Sequence, residues 1–140
     1  MADVIYNNFK EAIMNGSIDL DTDTIKVALV TSAYTPDQDA HDMFDDITNE
    51  VSGTGYTAGG ATLANKAVSQ DNTDNEGVFD ADDVVWSTST ITARGAVIYK
   101  STGTASTSPL ICYLDFGSDK VSTAGSFTIS WNAEGILNLN

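Results

Sequence analysis

The chain has 140 residues, 41% of them hydrophobic, with twenty acidic residues against six basic ones and a formal net charge of −14. That length fits a single domain, residues 1–140, which buries roughly two-thirds of the surface its unfolded chain exposes. The six cations, Lys10, Lys26, Lys66, Arg94, Lys100 and Lys120, are scattered, which excludes a nucleic-acid backbone and an anionic membrane surface as partners.

In chain order, the first predicted element is a helix over about 4–14. Asp3 stands at its cap, Ile5, Phe9, Ala12 and Ile13 recur at helical spacing, and Gly16 stops it. No basic segment opens Met1 to Met14, so no secretory signal is expected, and no run approaches the ~18 apolar residues of a membrane span. Asp19, Asp21 and Asp23 are in phase with Ile25, Val27 and Leu29. A strand starting at Asp19 would aim unpaired carboxylates at the core, so the strand is expected over 24–31 and the acids in a loop. Its unbroken apolar run predicts burial on both faces.

Pro36 breaks the chain, and a small acidic helix is expected over 40–48. Met43, Phe44 and Ile47 form one face of it and Asp42, Asp45 and Asp46 the other, with Asp37 or Asp39 at its N-terminus. The glycine-rich stretch 52–60, SGTGYTAGG, predicts a loop, and strand character follows over 61–69. Val84 to Trp86 begins another strand. The longest predicted strand alternates from Ile91 to Lys100, and 101–109 reads as an exposed loop. Leu110, Cys112, Leu114 and Phe116 line one strand face; Phe127, Ile129 and Trp131 line another. Asn132 to Gly135 suits a turn with Gly135 left-handed, closing a hairpin onto a short strand with Leu137 and Leu139. The pattern predicts a mainly β fold, a β-sandwich or jelly-roll-like barrel with one or two short α-helices. An α+β arrangement, with the first helix packed on a sheet, is the alternative.

The inventory for chemistry is short. There is one histidine, His41, and one cysteine, Cys112, so neither an intrachain disulfide nor a Cys/His zinc site is expected. A serine triad would have to use His41, and no Gly-x-Ser-x-Gly elbow exists. Cys112 reads as a small core residue. The stretch 72–83 loosely follows an EF-hand loop, with Gly77 at the sixth position, but it opens on Asn72 and ends on Asp83 without flanking helices. An acidic solvated turn is the plainer reading, and a calcium-dependent binding module the alternative. Tyr34 and Tyr56 fall in loops and are candidates for a protein-contact surface. No enzyme, no catalytic residue, no cofactor and no resident metal are expected.

Three stretches, GTGYTAGGATL from Gly53, STITARGAVIYK from Ser89 and FTISWNAEGIL from Phe127, carry a resemblance. With the opening VIYNNFKEAIMNG and IKVALVTSAYTP, they resemble the small acidic capsid cement, or decoration, proteins of tailed bacteriophages. The resemblance implies a structural virion protein on the capsid exterior, made in the host cytoplasm. It implies binding to the assembled major capsid protein as a homo-oligomer, dimer or trimer. It brings no catalytic residues. A tail or receptor-recognition component is the alternative within the virion.

Overall fold

The computed structural model describes residues 2–140; Met1, the first residue of the expected domain, lies outside them. Strand takes 47% of the chain and helix 11%, in two antiparallel sheets and one α-helix, so the fold is mainly β and β-sandwich-like. The large sheet contains β1 (Val4–Ile5), β2 (Ile25–Val30), β3 (Ala61–Thr62), β6 (Val84–Lys100) and β7 (Leu110–Ile129), in the order β1-β7-β6-β2-β3. The small sheet contains β4 (Ala67–Asp71), β5 (Glu76–Asp80) and β8 (Leu137–Leu139), in the order β4-β5-β8. The helix α1 spans Asn7–Asn15.

β2 is buried on both faces, as its apolar run requires. Ile25, Val27 and Leu29 join Ala96, Ile98, Trp86, Phe127 and Phe79 in one core, between the large sheet and the layer of small sheet and α1. Ala28 and Val30 face a second core with Val97, Tyr99, Leu110, Tyr113, Tyr6 and Tyr34. The irregular segment 31–50 covers that side, where Phe44 stacks on Tyr99 at a centroid distance of 4.0 Å.

Several expectations shift. The helix starts at Asn7, because Val4 and Ile5 pair instead with Tyr113 and Cys112 on the edge of β7. Asp3 does not cap it; its Oδ1 accepts the Asp115 N–H at 2.7 Å. Gly16 does end it, at φ +77°. The acidic loop before β2 stands as expected, with Asp23 paired to Lys100 at 2.9 Å. No α-helix forms over 40–48; only Phe44–Asp46 makes a 3-10 turn. Its acids bind local backbone instead: Asp46 accepts from the N–H groups of Met43 and Asp42, and Asp37 from those of Asp39 and Ala40. Such bonds compete with helix formation.

The predicted strand 61–69 divides into β3 and β4, which belong to different sheets. The pieces expected at 84–86 and 91–100 are one strand of 17 residues, and those at 110–116 and 127–131 lie on one strand of 20. Serine and threonine interrupt the apolar signal, but each strand's pairing with the other carries the ladder through bulges near Thr88, Arg94 and Ala124. β7 ends at Ile129, so Trp131 lies beyond it, half-buried, with its indole N–H on the Asp82 carbonyl. The turn at 132–135 forms with Gly135 at φ +97°, but it closes no hairpin; it delivers β8 to β5. Within 101–109, Ser108 is buried, and its hydroxyl binds the Thr104 carbonyl at 2.8 Å.

Candidate docking groove

The small sheet has two unlike faces. Cross-strand register puts Val68, Phe79 and Leu137 side by side, with Gly77 and Leu139 next along the same face. The opposite face takes Asp71, Glu76 and Asp80. α1 lies over the apolar face. Phe9 and Ala12 point into the core, while Ile13 and Met14 remain exposed, Met14 at 83%.

Between α1 and this face runs a groove of about 430 Å³. Of the seven large hydrophobic side chains exposed among the described residues, five line it: Ile5, Ile13, Met14, Val68 and Leu139. Lys10 is the one titratable side chain in its wall, and its Nζ donates to Asn7 Oδ1 at 3.2 Å. Fully burying an aliphatic side chain is worth roughly 1.5–3 kcal/mol, so covering these five partly exposed ones is worth about 4–8 kcal/mol. Association itself costs about 4–15 kcal/mol. The groove alone therefore supports weak contact, and needs either further contacts or repeated sites to hold a partner.

The tyrosines expected at a contact surface are not there. Tyr34 is 2% exposed, and its hydroxyl sits 2.7 Å from that of Tyr6 and 2.9 Å from His41 Nδ1. The Asp37 N–H also donates to Nδ1, so that nitrogen is an acceptor and the hydroxyl chain runs from Tyr6 through Tyr34 to His41. Burial pushes the Tyr34 phenol up to about 12; burial and then the bond to Tyr34 push Tyr6 higher still. His41 thus anchors a turn.

Tyr56 is half-buried. Its hydroxyl accepts the Leu29 N–H at 3.0 Å and donates to Glu50 at 2.6 Å. Glu50 also accepts the Gly59 N–H, and Tyr99 donates to the Gly59 carbonyl at 2.6 Å. These bonds pin the glycine-rich loop onto the sheet, where its composition predicts only flexibility.

Cys112 is buried in the core as expected, and burial pushes its thiol up, away from reactivity. The stretch 72–83 is not an EF-hand loop: 72–75 turns the β4–β5 hairpin and 76–80 is strand. Its expected ligands are spread along that strand. Asp71, Asp74 and Glu134 do converge, their oxygens within 4.8 Å. Asp71 Oδ1 there accepts the N–H groups of Thr73 and Asp74, the work of a turn residue.

The groove escapes sequence reading because its walls come from residues 5–20, 68–79 and 137–139. The available signal is the surplus apolar residue on α1: Met14 extends the helix's apolar side beyond what the core covers. No protein-family model, curated protein or solved structure matches this chain.

Proposed function

We propose that this chain is a structural virion protein, a cement protein on the outside of a tailed-phage capsid, bridging major capsid protein subunits as a homo-oligomer. The observation that carries the reading is the groove, where five exposed hydrophobic side chains gather on a chain of charge −14. A high net charge keeps free copies apart and soluble. An apolar groove with one titratable wall residue suits an apolar segment of another protein.

The weak free energy of one groove suits an array. Copies that engage neighbouring subunits together gain from each further site, and unassembled subunits present one site at a time. Binding to the shell and not to its free subunits stabilises the shell by mass action. The resemblance of 53–63, 89–100 and 127–137 to cement proteins points the same way.

Cryo-microscopy of the parent virion tests the location. Density for this chain on the capsid exterior is expected, and its presence only in the tail would overturn the proposal in favour of a tail component. Met14→Glu with Leu139→Glu tests the surface: capsid occupancy should fall at least tenfold at matched protein concentration. Full occupancy by that variant would show that the groove is not the contact.

A further inference from the structure

The net charge is unevenly placed. Seventeen of the twenty acids and three of the six bases lie in residues 1–83, so residues 84–140 hold three of each and are neutral overall. Within that neutral half, Val84–Ala93 and Val121–Ala133 contain no charged residue at all. These two stretches pair with each other as the far half of the β6–β7 hairpin. They form a two-stranded arm beyond β2, which covers β6 only over Gly95–Lys100.

The inner face of the arm belongs to the main core: Val84, Trp86, Ile91, Ala93, Phe127 and Ile129. Its outer face continues the side of the large sheet that segment 31–50 covers elsewhere through Tyr34 and Phe44. Over the arm that cover is missing. Eight residues face outward there, four on β6 at 85, 87, 90 and 92 and four on β7 at 121, 123, 126 and 128, all exposed and all valine, serine or threonine. Val85 and Val121 are 52% and 65% exposed. They are also the two exposed large hydrophobics that do not line the groove.

The register places these valines at opposite ends, since Val85 pairs with Thr128 and Thr92 with Val121. Seven residues along β6 separate the two ends, about 23 Å at ~3.3 Å per residue. A two-fold axis through the middle of the arm therefore brings Val85 of one copy onto Val121 of another, twice. That is the self-complementarity an isologous contact needs.

We infer that this neutral outer face of the β6–β7 arm is the surface on which a second copy of the chain docks, antiparallel and across a two-fold axis, taking up the self-association that the cement reading includes. Charge selects the occupant. Two copies of charge −14 repel through any acidic surface, and the eight outward residues carry no carboxylate, Asp83 and Asp119 standing two positions beyond Val85 and Val121. The size of the face sets the strength. Eight residues are well short of the roughly 20–30 a side of a stable interface, so the dimer is weak in dilute solution and forms where copies are crowded, as on a shell.

Cysteine cross-linking of the full chain tests this directly, with a mild oxidant added; native Cys112 is 1% exposed and stays silent. Val85→Cys and Val121→Cys proteins, each alone, should yield little covalent dimer. Mixed together, they should yield a heterodimer linked between the two substituted positions. Met14→Cys, in the groove, should not join either. Equal cross-linking by the single variants, or none in the mixture at the highest soluble concentration, would overturn the inference.

Sedimentation of the unsubstituted chain gives a second reading. Dimer should increase as added salt shortens the screening length from about 30 Å to about 8 Å, because like charge opposes the encounter. Val121→Glu should abolish that dimer and Val121→Thr should keep it; dimer that persists in Val121→Glu would refute the surface. Cross-linking by a chain found off the capsid would uphold the arm and remove the capsid reading. Capsid occupancy without cross-linking would remove the arm alone.

Discussion

Gly60 and Gly16 adopt nearly the same backbone conformation, φ +78° and +77°, in different surroundings. Around Gly16 a Cβ would meet nothing within 4 Å. At Gly60 it would lie 1.9 Å from the Val27 carbonyl oxygen and 2.7 Å from Ala28 Cα. Those atoms belong to β2, which is held by β6 on one side and β3 on the other. Alanine at either position carries the left-handed penalty of about 1–2 kcal/mol. At Gly60 the backbone must also separate, and overpacking adds about 1–3 kcal/mol or more. Gly60→Ala should therefore lose about 2–5 kcal/mol and Gly16→Ala about 1–2 kcal/mol.

For 140 residues the unfolding entropy makes 1 kcal/mol worth about 3–4 °C, so the expected falls in melting temperature are about 6–20 °C and about 3–8 °C, with Gly60→Ala the larger. Urea titration and thermal melts followed by circular dichroism measure both. Melting temperatures for the two variants within about 2 °C of each other would refute the close approach of the glycine-rich loop to β2.

Two further perturbations test the polar interior and the acid limb. Tyr34→Phe leaves the buried Tyr6 hydroxyl without its 2.7 Å partner and should cost about 1–3 kcal/mol in urea; the double variant with Tyr6→Phe should lose less than the sum of the two singles. The Gly117 N–H, then the Arg94 guanidinium at 3.0 Å, pull the Asp115 carboxyl down to about 2. Because the folded value lies below the unfolded one, this group's contribution is present above about pH 3.9 and is lost as pH falls through about 2. Asp115→Asn should flatten the loss of stability in that window, measured by urea titration at each pH, and an unchanged acid limb would exclude the contribution.

The local pattern of this chain already contains β2, the helix stop at Gly16, the acidic loop before β2 and the alternating apolar faces of β6 and β7. Each is a matter of neighbours a few residues apart: burial periodicity, a left-handed glycine, the cost of an unpaired core carboxylate. The inventory of one histidine and one cysteine is equally local. The strand β5 is not legible within 72–83, because its acids read as a solvated turn while Phe79 is 2% exposed in the core.

What the tertiary structure decided are the relations between distant residues. Pairing carries β6 and β7 unbroken through Ser/Thr stretches whose own pattern is weak. Packing against Tyr6 and Glu50 takes Tyr34 and Tyr56 off the surface. The groove forms only when α1 lies over β4, β5 and β8. The −14 charge is legible in composition, but its segregation from an uncharged arm becomes a surface only when Val84–Ala93 and Val121–Ala133 pair. Periodicity along a chain records which side of an element is apolar; it does not record which other element, or which other copy, will cover it.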